Sequence, residues 1–232
     1  MYELYIANKN YSSWSLRPWM LLSELGIPFH ERMMSFAPGT GSSWSAFRAF
    51  SPSGKVPCLR DGDTIVWDSL AITEYLAERH PGVWPVDPMA RAWARCAAAE
   101  MHSGFGVLRT HCSMSCGLRV RLADDLLQAL RTDIARIDEL WGEGLARFGG
   151  PFLAGSALGA VDAFFAPVAF RIQTYQLAMG EKAAAYAQRL LELPAMQHWY
   201  ADALRETWRD QEHEDEVKQS GIVVADLRAP AG

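Results

Sequence analysis

The sequence predicts a small α/β domain followed by an all-helical one. Three observations carry that reading. Residues 1–80 alternate strand-like and helix-like patterns, residues 81–88 (PGVWPVDP) form a proline-rich connector, and residues 89–210 keep helical periodicity.

Tyr2, Leu4 and Ile6 alternate with Glu3, Tyr5 and Ala7, as in a strand with one covered face. Ser15 to Leu25 has helical spacing and runs into Gly26 and Pro28, the usual stop signals. Phe29 to Met34 reads as a second strand, which completes a βαβ rhythm. Residues 37–45 (APGTGSSWS) read as a Gly/Ser/Pro loop, with a short helix near Ser45 to Phe50. Val56 to Leu59 and Thr64 to Trp67 are short strands turned over Asp61-Gly62, and Ser69 to Arg79 is a helix with Ser69 at its N-cap. Beyond the connector the expected helices are Met89 to Thr110, Val120 to Phe148, Ala160 to Met179, Glu181 to Glu192 and Ala195 to Arg209. Asp210 opens a charged run, including EHEDE, so 211–232 is expected to be an irregular tail, solvated or folded back on the body.

Composition narrows the function classes. The chain has 232 residues, 50% hydrophobic and 21% charged, which is ordinary for a globular protein with a sizeable core. A net charge of −5 argues against nucleic acid or an anionic membrane surface as the main partner. MYELYIANKN lacks the basic and apolar regions of a secretory signal, and no long apolar run is present, so a cytoplasmic protein is expected. Cys58, Cys96, Cys112 and Cys116 lack regular pairing and read as reduced thiols. His111, Cys112 and Cys116 have poor zinc spacing without a second ligand pair, so no metal is expected.

The chemically suggestive stretch is NYSSWSLRPW, Asn10 to Trp19. Ser12 and Ser13 sit where a strand hands over to a helix. Unpaired backbone N–H groups and the positive end of the helix dipole gather there, which favours a thiolate, phosphate or carboxylate.

Three motifs together resemble the cytosolic glutathione transferase superfamily across nearly the whole chain. They are SSWSLR at Ser12 to Arg17, KVPCL at Lys55 to Leu59 with WDSLAITEYL at Trp67 to Leu76, and GAVDAFFAPV at Gly159 to Val168. SSWSLR is similar to the SSCSWR-type motif of the zeta class, which includes maleylacetoacetate isomerases. The resemblance implies an α/β thioredoxin-like N-terminal domain (1–80), a linker (81–88) and an all-α helical-bundle C-terminal domain (89–210) carrying the electrophile site. It also implies glutathione as cosubstrate or cofactor, a small electrophilic or maleyl-type substrate, and a homodimer. The implied activity is transfer by a serine-stabilised thiolate. A zeta-like cis–trans isomerase is the nearest variant, and a non-catalytic binding or regulatory protein is the rival of another class.

Residue by residue, Ser12 is the first choice for the catalytic hydroxyl, because it precedes Arg17 by the same offset as in the zeta pattern. Ser13 is the runner-up, and Ser15 reads as a plain cap or first-turn residue. Trp14 stands where the zeta pattern has cysteine, which removes thiol–disulfide chemistry there. Arg17 is expected to bond nearby carbonyls or an acid. Val56-Pro57 would be a cis-proline pair whose free Val56 backbone meets the cysteinyl part of glutathione. Lys55 is placed for the glycyl carboxylate, or is a solvated surface lysine. Ser69 would bind the γ-glutamyl carboxylate, or serve as a simple N-cap, and Asp68 would take the α-ammonium. Asp162 resembles a capping aspartate, with Gly159 leaving its capping box incomplete. Tyr11, Trp14, Met101, His102, Phe105 and Arg109 are candidates for the electrophile wall. The substrate-binding arginine of zeta isomerases falls near Thr174, with Arg171 one turn earlier as a substitute.

Overall fold

The computed structural model describes residues 1–36 and 43–231; the loop expected over 37–45 lies outside these at 37–42. The N-terminal half is a thioredoxin-like α/β unit. β1 (Tyr2–Ile6), α1 (Ser13–Glu24) and β2 (Phe29–Met33) are followed by α2 (Trp44–Phe47), β3 (Cys58–Asp61), β4 (Thr64–Trp67) and α3 (Ser69–Ala77). The sheet order is β2-β1-β3-β4, with β1 and β2 parallel and the other pairs antiparallel. Strand alternation sends Tyr2, Leu4 and Ile6 inward, where they join Leu16, Met20, Ile72 and Leu76 of α1 and α3 in one core. That packing sets the start of α1 just past the end of β1.

The second half is helical: α4 (Pro88–Ser103), α5 (Gly106–His111), α6 (Asp124–Phe148), α7 (Ala160–Tyr175), α8 (Glu181–Glu192), α9 (Pro194–Arg205) and α10 (Gln211–Ser220). α7 is apolar nearly all round, as a helix at the centre of a bundle must be, and packs on α1, α4 and α8. The fully buried Asp162 accepts from Gly159 N (2.9 Å), Leu153 N (3.0 Å) and the Tyr186 hydroxyl (2.6 Å). Glycine at 159 does leave the reciprocal cap incomplete, but two other donors fill the carboxylate, which ties α7 to α8. Among the described residues no helix is long and apolar enough to cross a membrane.

Several elements differ from expectation. The helix foreseen over Met89 to Thr110 is broken, because Gly104 ends α4 and Phe105 takes a left-handed φ of 59° before α5. The helix foreseen from Val120 starts only at Asp124. Leu118–Leu122 is a strand, β5, with Leu118, Val120 and Leu122 buried at a period of two. The tail is ordered: α10 is capped by Asp210, and β6 (Gly221–Asp226) pairs antiparallel with β5. Its acid-rich helix has no apolar stripe, so it is held by contacts that sequence periodicity does not report. The cap of α3 is Asp68, whose carboxylate accepts from Leu70 N at 2.7 Å, and Ser69 is already the first helical residue.

Candidate active site

Ser12 is the N-cap of α1, yet its side chain does not cap the helix. Its Oγ donates to Ser15 Oγ at 2.7 Å, and Ser15 Oγ also accepts from Ala7 N at 3.3 Å. Ser15 is therefore a buried link in a hydroxyl chain, a role its first-turn position did not suggest. The Ser13 hydroxyl makes no hydrogen bond among the described residues. The loop that carries both serines is gripped by the helical half. Glu206 accepts from Lys9 N (2.6 Å) and Asn10 N (3.1 Å), Trp199 Nε1 donates to Lys9 O (2.8 Å), and Cys116 N donates to Asn10 O (3.1 Å). Backbone groups that would be orphaned beside the helix start are thus satisfied from across the molecule.

Ser12 and Ser13 line a cavity of ≈ 990 Å³, together with Tyr11, Trp14, Lys55, Val56, Arg109 and Arg171. That volume lies at the upper end of the ~300–1,000 Å³ usual for small-molecule sites. Val56-Pro57 is cis. Gly54 has φ +66°, and a Cβ there would lie 2.4 Å from the Trp44 indole, so only glycine fits beside Lys55. Pro57, Asp68, Ser69, Met101, His102 and Phe105 are not on the cavity wall. Phe105 is buried at the start of α5, and His102 packs edge-on against Trp14 (5.2 Å between centroids) with Nε2 3.5 Å from Asp68. Burial lowers the His102 pKa, with Asp68 opposing. The Ser69 hydroxyl is buried and accepts from Arg17 Nη1 at 3.4 Å.

Arg17 departs from the expected role. It bonds no carbonyl and no acid among the described residues, and neither Nε nor Nη2 has a partner. Its guanidinium lies 4.1 Å from the Trp14 ring centre and 4.9 Å from that of Phe164. Burial pulls its pKa well below the ordinary value, and Arg109 and Arg171 push the same way. Arg109 closes the end of α4, donating through Nε to Gly104 O (2.9 Å) and through Nη2 to Met101 O. It covers Trp14 at 4.8 Å, and burial with the nearby Arg171 lowers its pKa to about 10. Arg171 is 3% exposed and donates through Nε to Cys112 O at 2.7 Å. Thr174, at the position of the zeta arginine, instead bonds Ser115 O at 2.8 Å.

The opposite wall is α10, with Glu212, His213, Asp215 and Glu216. The Tyr11 hydroxyl donates to Glu214 at 2.6 Å and accepts from Arg228 at 3.1 Å, and His213 stacks on the Tyr11 ring at 5.0 Å. Burial and the Glu214 bond raise the Tyr11 pKa, so its proton is committed to Glu214. Tyr11 was expected on this wall, but the α10 residues were not. The one available signal was the short β-branched apolar run Ile222-Val223-Val224 after Gly221, which marks a strand that needs a partner. Among the described residues no group of His, Cys, Asp or Glu is placed to hold a metal ion.

A thioredoxin-like sheet joined to a helical domain, with the cavity between them at the start of α1, is the glutathione transferase fold. Residues 11–79 match the family model "Glutathione S-transferase, N-terminal domain". A glutathione S-transferase-like protein of Beauveria bassiana, OpS6, is 26% identical over 71% of this chain and 76% of its own length. A probable maleylacetoacetate isomerase of Caenorhabditis elegans is 40% identical, but over only 26% of this chain and 29% of its own. The solved theta class glutathione S-transferase of Xanthomonas axonopodis pv. citri, with glutathione bound, is 25% identical. It superposes with a TM-score of 0.63 over 86% of this chain and 96% of its own. The chain is thus similar over residues 11–79 to glutathione S-transferase N-terminal domains and shares the fold of solved glutathione transferases.

Proposed function

We propose that this chain is a glutathione transferase that holds the sulfur of glutathione as a thiolate at the start of α1 and adds it to a small electrophile. One observation carries the reading: Ser12 and Ser13 stand together at the N-terminus of α1, on the wall of a cavity that also presents Lys55 and Val56. A free thiol has a pKa of about 8.5, and hydroxyl donors beside a positive helix end favour its charged form. In this structure the Ser12 proton goes to Ser15. Facing a thiolate, the chain reverses: Ser15 donates to Ser12, Ser12 donates to sulfur, and Ala7 N–H still fills Ser15. Ser13 needs no such turn, which gives the runner-up its own support. Lys55, exposed at the rim, takes the glycyl carboxylate, and the Val56 backbone pairs with the cysteinyl part. Asp68 and the N-terminus of α3 at Ser69 lie off the cavity wall, so the γ-glutamyl arm extends beyond it to place its ammonium at Asp68 and its carboxylate at the α3 N–H groups.

A zeta-like glutathione-dependent isomerase is the second reading, favoured by the short stretch of 40% identity to the probable maleylacetoacetate isomerase. Trp14 and Thr174, where the zeta pattern has cysteine and arginine, weigh against it. A homodimer and a cytoplasmic location belong to the same proposal, and sedimentation tests the first. Calorimetry with glutathione, alongside turnover of 1-chloro-2,4-dinitrobenzene and a maleyl substrate, tests the rest. Glutathione binding with conjugation is expected. Absence of binding at millimolar glutathione would turn the case to a non-catalytic binding or regulatory protein.

A further inference from the structure

On α7, Thr174 and Tyr175 follow Arg171 by three and four residues, so the three share one face of the helix. Each is bonded to a carbonyl of the segment after α5. Arg171 Nε donates to Cys112 O (2.7 Å), Thr174 Oγ1 to Ser115 O (2.8 Å) and the Tyr175 hydroxyl to Ser113 O (2.8 Å). These bonds fix the segment on the helix, yet they leave two polar atoms unfilled. Arg171 Nη1 and Ser113 Oγ have no partner, although the residues are only 3% and 8% exposed. Both residues line the large cavity. Among the described residues no carboxylate forms an ion pair with Arg171, and the groups that bear on its charge are Tyr175, Cys112 and Cys116. A buried guanidinium without a counter-charge is strongly disfavoured, and a buried hydroxyl without a partner adds to the deficit. A carboxylate at this spot meets both donors already held in place.

The rest of the wall limits what can carry that carboxylate. Arg109 already donates to Gly104 O and Met101 O and lies over the Trp14 ring, and Lys55 is exposed at the rim. The same cavity is lined by Met114, next in the chain to Ser113, and by Trp14, Phe36 and Phe47. A second acidic group on the ligand would lose water against these apolar side chains without a buried seat of its own.

We propose that the molecule this cavity takes beside glutathione is an apolar monocarboxylic acid. Its carboxylate sits on Arg171 and Ser113, and its body lies against Trp14, Phe36, Phe47 and Met114. The class is that of arylalkyl and unsaturated long-chain acids, not of small dicarboxylates such as maleyl compounds. This rests on the reading above that the cavity holds the electrophile, whose reactive carbon then belongs to the apolar body. Glutathione has a glycyl carboxylate of its own, so the two sources of the anion are separated by titrating with and without it.

Four unreactive probes are titrated calorimetrically into the full chain, with and without saturating glutathione. They are 3-phenylpropanoate, 3-phenylpropanamide, the para-carboxylate of phenylpropanoate, and acetate. Phenylpropanoate is expected to bind at least roughly tenfold tighter than each of the other three, and to keep that affinity when glutathione is present. Ser113→Ala weakens phenylpropanoate roughly three- to tenfold and leaves the amide unchanged. Arg171→Gln brings the acid down to the level of the amide. Ser113→Ala removes only an unbonded hydroxyl, so it keeps the test open if Arg171→Gln fails to fold. Equal binding of acid and amide, no binding of any probe, or a dicarboxylate that matches phenylpropanoate overturns the proposal. So does a preference for the acid that Ser113→Ala leaves untouched. Displacement of phenylpropanoate by glutathione also overturns it, because the seat then belongs to the glycyl carboxylate. If the preference holds while glutathione itself fails to bind, the transferase reading falls and the seat for the acid stands.

Discussion

Ser12 and Ser13 differ in what their hydroxyls already do, and that difference sets a test. Ser12 is wired through Ser15 to the end of β1, so a bond to sulfur is backed by a chain of donors. Its removal is expected to raise the pKa of bound glutathione by about one to two units, from a charge-assisted bond of about 1.5–3 kcal/mol. Conjugation by Ser12→Ala should then fall roughly 10- to 100-fold below the raised pKa and recover at alkaline pH, where the thiol ionises unaided. Ultraviolet titration of the bound thiolate reads this directly. An unchanged titration in Ser12→Ala, with loss in Ser13→Ala, would move the role to Ser13. The serine pair was legible in the sequence because it is a local feature, whereas the cis Val56-Pro57 bond was expected from the family resemblance alone. The partner of Arg17 was not legible: its guanidinium ends at Trp14, Phe164 and Ser69, and two of those belong to other elements.

At the scale of elements, the α10–β6 segment turns a charged run into a cavity wall, and Arg228 pins it. Its side chain is 2% exposed, and it donates to Glu214 (3.0 Å) and Asp226 (2.8 Å) as well as to Tyr11. Arg228→Met leaves two carboxylates without their cation. A loss on the order of 3 kcal/mol is expected in the unfolding free energy read by denaturant titration, and a change under about 0.5 kcal/mol would show that the segment is held otherwise. The same cluster predicts acid release. Burial pushes Glu214 up, but the bonds from Arg228 and Tyr11 outweigh it and hold its pKa below the ordinary value. The Arg228 bonds likewise lower Asp226. Both carboxylates titrate lower when folded, so their stabilisation is full above the ordinary carboxylate range of about pH 4 and is lost as pH falls through the depressed values. NMR signals of β6 amides should collapse toward disordered positions only below that range. Detachment already at pH 6 would contradict the assignment.

Over the whole molecule, the two halves share one continuous core. α1 of the sheet domain packs on α7 and α9, and Lys9, 3% exposed, reaches Asp202 (2.7 Å) and Glu31 (2.8 Å) between the rings of Trp19 and Trp199. Unfolding is therefore expected as a single step, with tryptophan fluorescence and far-ultraviolet dichroism giving coincident transitions. Two separated transitions would show that the halves are thermodynamically independent.

Sequence alone determined the order of the elements, the α/β half followed by a helical half, and the pair of serines at a helix start. Apolar period, proline and glycine stops and helix-end polarity are local physics and are written locally. Tertiary structure alone decided the charge surroundings of those serines. The partners there are distant in the chain, with Arg228 meeting Tyr11 across 217 positions and Glu206 meeting Lys9 across 197. No local pattern marks such pairs, because they form only when the last segment folds back over the cavity mouth. The first strand and helix set the two serines on one wall of the cavity, and the returning chain supplies the charged α10 wall of the same cavity.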